Sequence, residues 1–147
     1  MEKKETWDTI CLLKECNAGS KMAVSSIEDV LDKVKDSSMR KLLSESKSHH
    51  EKLCDDIHTL LEQHHSEEKE PGNVAKGMAW LKTTMKLGME ESDAAVADIM
   101  TDGCNMGIKT LHKYLNQYPA ADHSSKDICN RLIDIEEQLC RDLKSYL

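Results

Sequence analysis

From Thr6 to Val34, apolar or small side chains return every three or four residues, at Ile10, Leu13, Cys16, Ser20, Val24, Ile27, Leu31 and Val34, and no proline interrupts the run. That period draws one stripe along a helix, whereas a strand would alternate at every second residue. A second run follows through Met39, Leu42, Leu43, Ser46, His49 or His50, Leu53, Ile57, Leu60 and Leu61. The two prolines, Pro71 and Pro119, divide the chain into three stretches that each read as helical.

The pattern predicts helix A over about 6–34, helix B over 37–65, a short crossover helix over 74–87, helix C over 92–117 and helix D over 124–146. Asp36, Ser37 and Ser38 offer caps for helix B, and Asp122, Ser124 and Ser125 offer caps for helix D. The polar run from Ser66 to Asn73 reads as a connector. Helix C carries a stripe of Val96, Ile99 or Met100, Gly103, Met106 or Gly107, Leu111 and Tyr114 or Leu115. Its glycines cost about 1 kcal/mol each in helix propensity and would let a neighbouring helix approach closely. Helix D is expected to bury Ile128, Leu132, Ile135, Leu139 and Leu143. Short links after A and C make A/B and C/D antiparallel hairpins, with the longer B-to-C segment free to cross. The expectation is a single-domain, all-α, antiparallel four-helix bundle.

Composition agrees. At 147 residues the chain is long enough to bury a core without staples. With 32% charged and 39% hydrophobic residues and no Phe, that core must come from Leu, Ile, Val, Ala and Met. A net charge of -7 argues against a general nucleic-acid or anionic-membrane binder, which needs a positive field. Neither a signal-peptide core nor a membrane span is evident, so a cytoplasmic setting with six reduced cysteines is expected. No CxxC pair, Gly-rich phosphate loop or nucleophile elbow points to zinc-ribbon, kinase or hydrolase chemistry.

Three segments carry a resemblance: Ile27 to Leu53, Met78 to Leu87, and the helix C stretch from Asp93 to Leu115. Together they are similar to a bacterial family of ferritin-like four-helix-bundle proteins of unknown function. Ferritin-like sites hold two metal ions with a Glu from each of two helices and an E-x-x-H pair from each of the other two. The resemblance puts Glu28 at the first carboxylate. On helix B, His49 and His50 are preceded three residues earlier by Ser46 and Lys47 rather than Glu. Helix C offers Gly103 and Cys104, with Asp102 nearby. On helix D, Glu136 and Glu137 are followed three residues later by Leu139 and Cys140 rather than His.

The ligand pattern is therefore degraded, and the leading expectation is a non-enzymatic interaction or stress-related bundle without a metal. The alternative is a metal-binding or oxidoreductase bundle in which Glu28, His49 or His50, Glu137 and Cys140 surround iron, manganese or zinc, a mixed donor set that suits such ions. The segment from Met78 to Met89, with Trp80 beside its methionines, is the candidate surface for a homodimer.

Overall fold

The computed structural model describes residues 3–65 and 92–147. The expected crossover helix over 74–87 and the Met78 to Met89 surface lie outside the described residues. Four long helices account for nearly all of the rest: α1 (Lys3–Leu31), α2 (Ser37–Gln63), α3 (Asp93–Gln117) and α4 (His123–Leu143), followed by a 3-10 turn at Lys144–Tyr146. No strand occurs among the described residues. None of their helices is long and apolar enough to cross a membrane.

Local chemistry sets the helix starts. The first amide groups of a helix lack intrahelical acceptors, and a short polar side chain just before the first turn satisfies one of them. Asp36 accepts from the Met39 amide at 2.8 Å, Ser92 from Ala95 at 3.1 Å, and Asp122 from Ser125 at 2.8 Å. Helix α1 stops at Leu31, so Val34 reaches the core from the connecting turn. Helix α2 closes with His65 in the left-handed region at φ 54.

Two apolar clusters fill the interior, and each draws on all four helices. One contains Leu12 and Leu13 of α1, Ile57 and Leu61 of α2, Leu111 of α3, and Ile128 and Leu132 of α4. The other contains Ile27 and Val30 of α1, Met39 and Leu43 of α2, Val96 and Met100 of α3, and Leu139 and Leu143 of α4. Side-chain-to-backbone bonds tie the helix pairs together near both clusters. The Asp93 carboxylate accepts from the Lys35 and Asp36 amides at 2.8 and 2.9 Å, in the α1–α2 turn. In the α3–α4 turn, the Ala120 amide donates to Asp8 at 3.0 Å and the Asp122 amide donates to the Thr9 hydroxyl at 2.8 Å.

Candidate functional site

Between the two apolar clusters runs a band of buried polar side chains. On α1 it holds Asn17 and Ser20, on α2 Ser46 and His50, and on α4 Glu136; α3 adds Cys104. Burial of a polar group is costly unless a partner is present, so the band marks where packing yields to something else. Asn17 and Ser20 have no hydrogen-bond partner for their side-chain atoms among the described residues.

His50 and Glu136 form the ionisable centre of the band. His50 is fully buried, and its Nδ1–H donates to the Ser46 carbonyl at 2.7 Å. A carbonyl only accepts, so Nδ1 must carry a proton. The other nitrogen, Nε2, lies 3.0 Å from Glu136 Oε1. Between those two atoms one proton is shared, and with the carboxylate ionised the ring is a doubly protonated imidazolium. Burial alone would push the imidazole pKa down, but the hydrogen bond and charge of Glu136, helped by the Ser46 carbonyl, outweigh it and hold it above 6.5.

Two thiols adjoin this pair. Burial pushes the Cys104 thiol well above its ordinary range, and the nearby Glu136 carboxylate adds to the effect. Cys140 is also raised, chiefly by burial, and its thiol donates to Asn105 Oδ1 at 3.6 Å. Both shifts favour the protonated thiol over the reactive thiolate.

The residues singled out from sequence separate in space. Glu28 is exposed by 54% and pairs with Lys47 at 3.2 Å on the surface. His49 is exposed and lines a hollow between α2 and α4 with Glu45, Asp134 and Asp142. His50 and Cys140 do enter the core, and Glu137 is half-buried beside Glu136. Sequence reasoning therefore passed over Asn17 and chose Glu137 where Glu136 occupies the centre. A signal existed for Glu136: the buried residues Leu132, Glu136 and Cys140 keep a strict spacing of four.

The donor set does not fit the two-metal site of ferritin-like proteins. Two ions need several bridging carboxylates, whereas among the described residues the band supplies one carboxylate, Glu136, already bonded to its one imidazole, His50. Among the described residues no group of three or more His, Cys, Asp or Glu is placed to hold a metal ion.

An apolar groove of about 400 Å³ opens beside the band, between α1 and α3. Its walls are Ala18, Gly19, Ala23 and Ser26 on one side and Gly103 and Gly107 on the other, and Glu136 reaches its floor. The glycines are not forced by close packing. Among the described residues, a methyl group at Gly103 would meet nothing within 4 Å, and one at Gly107 would touch Glu136 at 3.8 Å, an ordinary contact. Small side chains here keep space open.

No protein-family model, curated protein or solved structure matches the chain.

Proposed function

We propose that this chain is a non-enzymatic binding protein on a ferritin-like, antiparallel frame, and that it takes up a small apolar molecule in the groove between α1 and α3. The frame is supported by the composition of the two apolar clusters. Each joins the start of α1 and of α4 to the ends of α2 and α3, or the reverse, which is the order of two hairpins linked by a long crossover. In this reading the central layer, where ferritin-like proteins hold metal, has become a His–Glu pair.

The single observation that carries the binding role is the groove itself. Its volume falls within the ordinary range for small-molecule sites, roughly 300–1,000 Å³, and apolar walls with a few polar groups are what such sites present. Its methionines, Met22 and Met100 among them, can adjust to a ligand's shape.

The test is titration with the fluorescent probe N-phenyl-1-naphthylamine. Saturable enhancement at one site per chain, lost in Gly103→Leu while the helical circular-dichroism spectrum is kept, is the expected result. No saturable binding by the wild-type protein overturns the reading. A parallel exposure to iron, manganese and zinc checks the frame's chemistry. Near-stoichiometric metal, lost in His50→Ala and Glu136→Ala, would replace the binding role with a metal-dependent one.

A further inference from the structure

Four of the six cysteines stand in pairs, one pair in each apolar cluster. Cys16 of α1 meets Cys129 of α4 in one cluster, and Cys104 of α3 meets Cys140 of α4 in the other, and a side-chain hydrogen bond joins the two sulfurs of each pair. The Cys104 pair lies within the α3–α4 unit, whereas the Cys16 pair joins α1–α2 to α3–α4. Cys16 and Cys129 are each 0% exposed, and neither is among the residues lining the groove.

Hydrogen bonding gives the Cys16 pair a direction. The Cys16 thiol donates to the Cys129 sulfur, and the Cys129 thiol donates onward to the Leu111 carbonyl at 3.8 Å. Donating that bond, together with burial, holds the Cys16 thiol well up. Accepting it draws Cys129 down against the effect of burial. Cys129 is therefore the sulfur that gives up its proton more readily, and a second thiol already lies against it. The other pair has contrary surroundings, because burial and then the Glu136 carboxylate push Cys104 up. Burial also restricts what oxidation can leave behind. A sulfinate or sulfonate would put charge among Leu12, Leu13 and Leu132, whereas a disulfide is neutral.

We infer that Cys16 and Cys129 are a modification site for a small hydroperoxide, which converts the two thiols to a disulfide between α1 and α4. The Cys129 sulfur attacks the peroxide: an S–O bond forms, the O–O bond breaks, and the displaced hydroxide takes the Cys129 proton and leaves as water. The Cys16 sulfur then attacks the sulfenic sulfur. An S–S bond forms, the S–O bond breaks, and the leaving hydroxide takes the Cys16 proton as a second water. Two thiols lose two electrons, and one hydrogen peroxide is reduced to two waters. The link spans about 110 residues of chain, and it acts chiefly by constraining the unfolded state.

Hydrogen peroxide treatment of the full reduced chain, followed by alkylation in denaturant and tryptic mapping without reductant, tests the site. Each of the six cysteines falls in a different tryptic peptide, so every pairing has its own mass. The expected product links residues 15–21 to residues 127–131, is reversed by dithiothreitol, and forms about tenfold faster than a Cys104–Cys140 link. The linked chain should melt on the order of 10 °C above the reduced one. Cys16→Ser, whose hydroxyl can still donate to Cys129, should show neither the link nor the shift, and dimedone should trap its Cys129 as the sulfenic acid. Glutathione disulfide, too large for a pair sealed from solvent, should leave both thiols reduced. Two thiols still open to alkylation after peroxide has oxidised glutathione added to the same sample would overturn the site. A link between two other cysteines in its place would do the same. Oxidation by glutathione disulfide as fast as by peroxide overturns the choice of a small hydroperoxide.

Discussion

His50 uses both ring nitrogens inside the protein, and that fixes the direction in which pH acts on stability. In the unfolded chain the imidazole titrates near its ordinary 6.5, and folding raises it through Glu136 despite the opposing effect of burial. A base whose pKa is higher in the folded state binds protons more tightly there, so protonation favours the fold. The contribution is complete below about 6.5 and is lost as pH rises through the folded value. Thermal unfolding of wild type and His50→Gln should therefore give melting temperatures that differ most below about pH 6.5 and draw together as the pH rises above it. The other histidines are shared by both proteins and cancel. A gap that widens with pH would mean that the folded pair holds a neutral ring. Which of the two adjacent histidines occupies this place was partly legible in the sequence. Met39, Leu43, Ser46, His50, Leu53 and Ile57 alternate spacings of four and three without a break, which favours His50 over His49. That a glutamate 86 residues away would meet it was not legible, because helix rotation and pairing are decided by tertiary packing.

Helix α3 is where propensity and packing disagree most. Gly103 and Gly107 lie inside a helix of 25 residues, where glycine costs about 1 kcal/mol relative to alanine. Close approach of another helix would justify them, and that is how their place in the stripe reads from sequence. The structure gives a different reason: among the described residues, nothing lies within 4 Å of a methyl placed on Gly103. Gly103→Ala should therefore raise stability by about 1 kcal/mol, or about 3 °C in melting temperature for a chain of this size, with no clash to offset the gain. A lower melting temperature would show that the groove closes on Gly103 in solution. Element existence was otherwise well marked, since Asp36 and Asp122 were readable as caps and both accept from the amide three residues on. The apolar face of α4 was drawn one residue off in its middle: Ile135 is half-buried, while Ile133 and Glu136 are buried. An isolated stripe cannot distinguish a face that meets two neighbours from one that meets a single helix.

Two sets of bonds set how the α1–α2 and α3–α4 pairs sit on one another. Asp93 holds the α1–α2 turn through two amides, and Asp8 and Thr9 hold the α3–α4 turn through two more. The sets lie at opposite ends of α1, Asp8 near its start and Lys35 just past its end. That is about 40 Å apart at 1.5 Å per residue. Hydrogen bonds to charged acceptors contribute about 1.5–3 kcal/mol when protected, and less where solvent competes, as it does at Asp93. Asp93→Ala is thus expected to cost about 1–2 kcal/mol, and Asp8→Ala, whose carboxylate is almost fully buried, about 2 kcal/mol. Sites so far apart with no shared partner should add, so the double variant should lose the sum within about 0.5 kcal/mol in a single urea transition. Additivity in one transition means that the two pairs of helices unfold as a unit, with the polar band and groove held between them. Two transitions, or a loss well beyond the sum, would mean that each pair is stable alone and that the ends serve as latches. In that case the groove between α1 and α3, which belong to different pairs, would open whenever either latch failed, and ligand affinity would fall in step with Asp93→Ala even though Asp93 is not part of its lining.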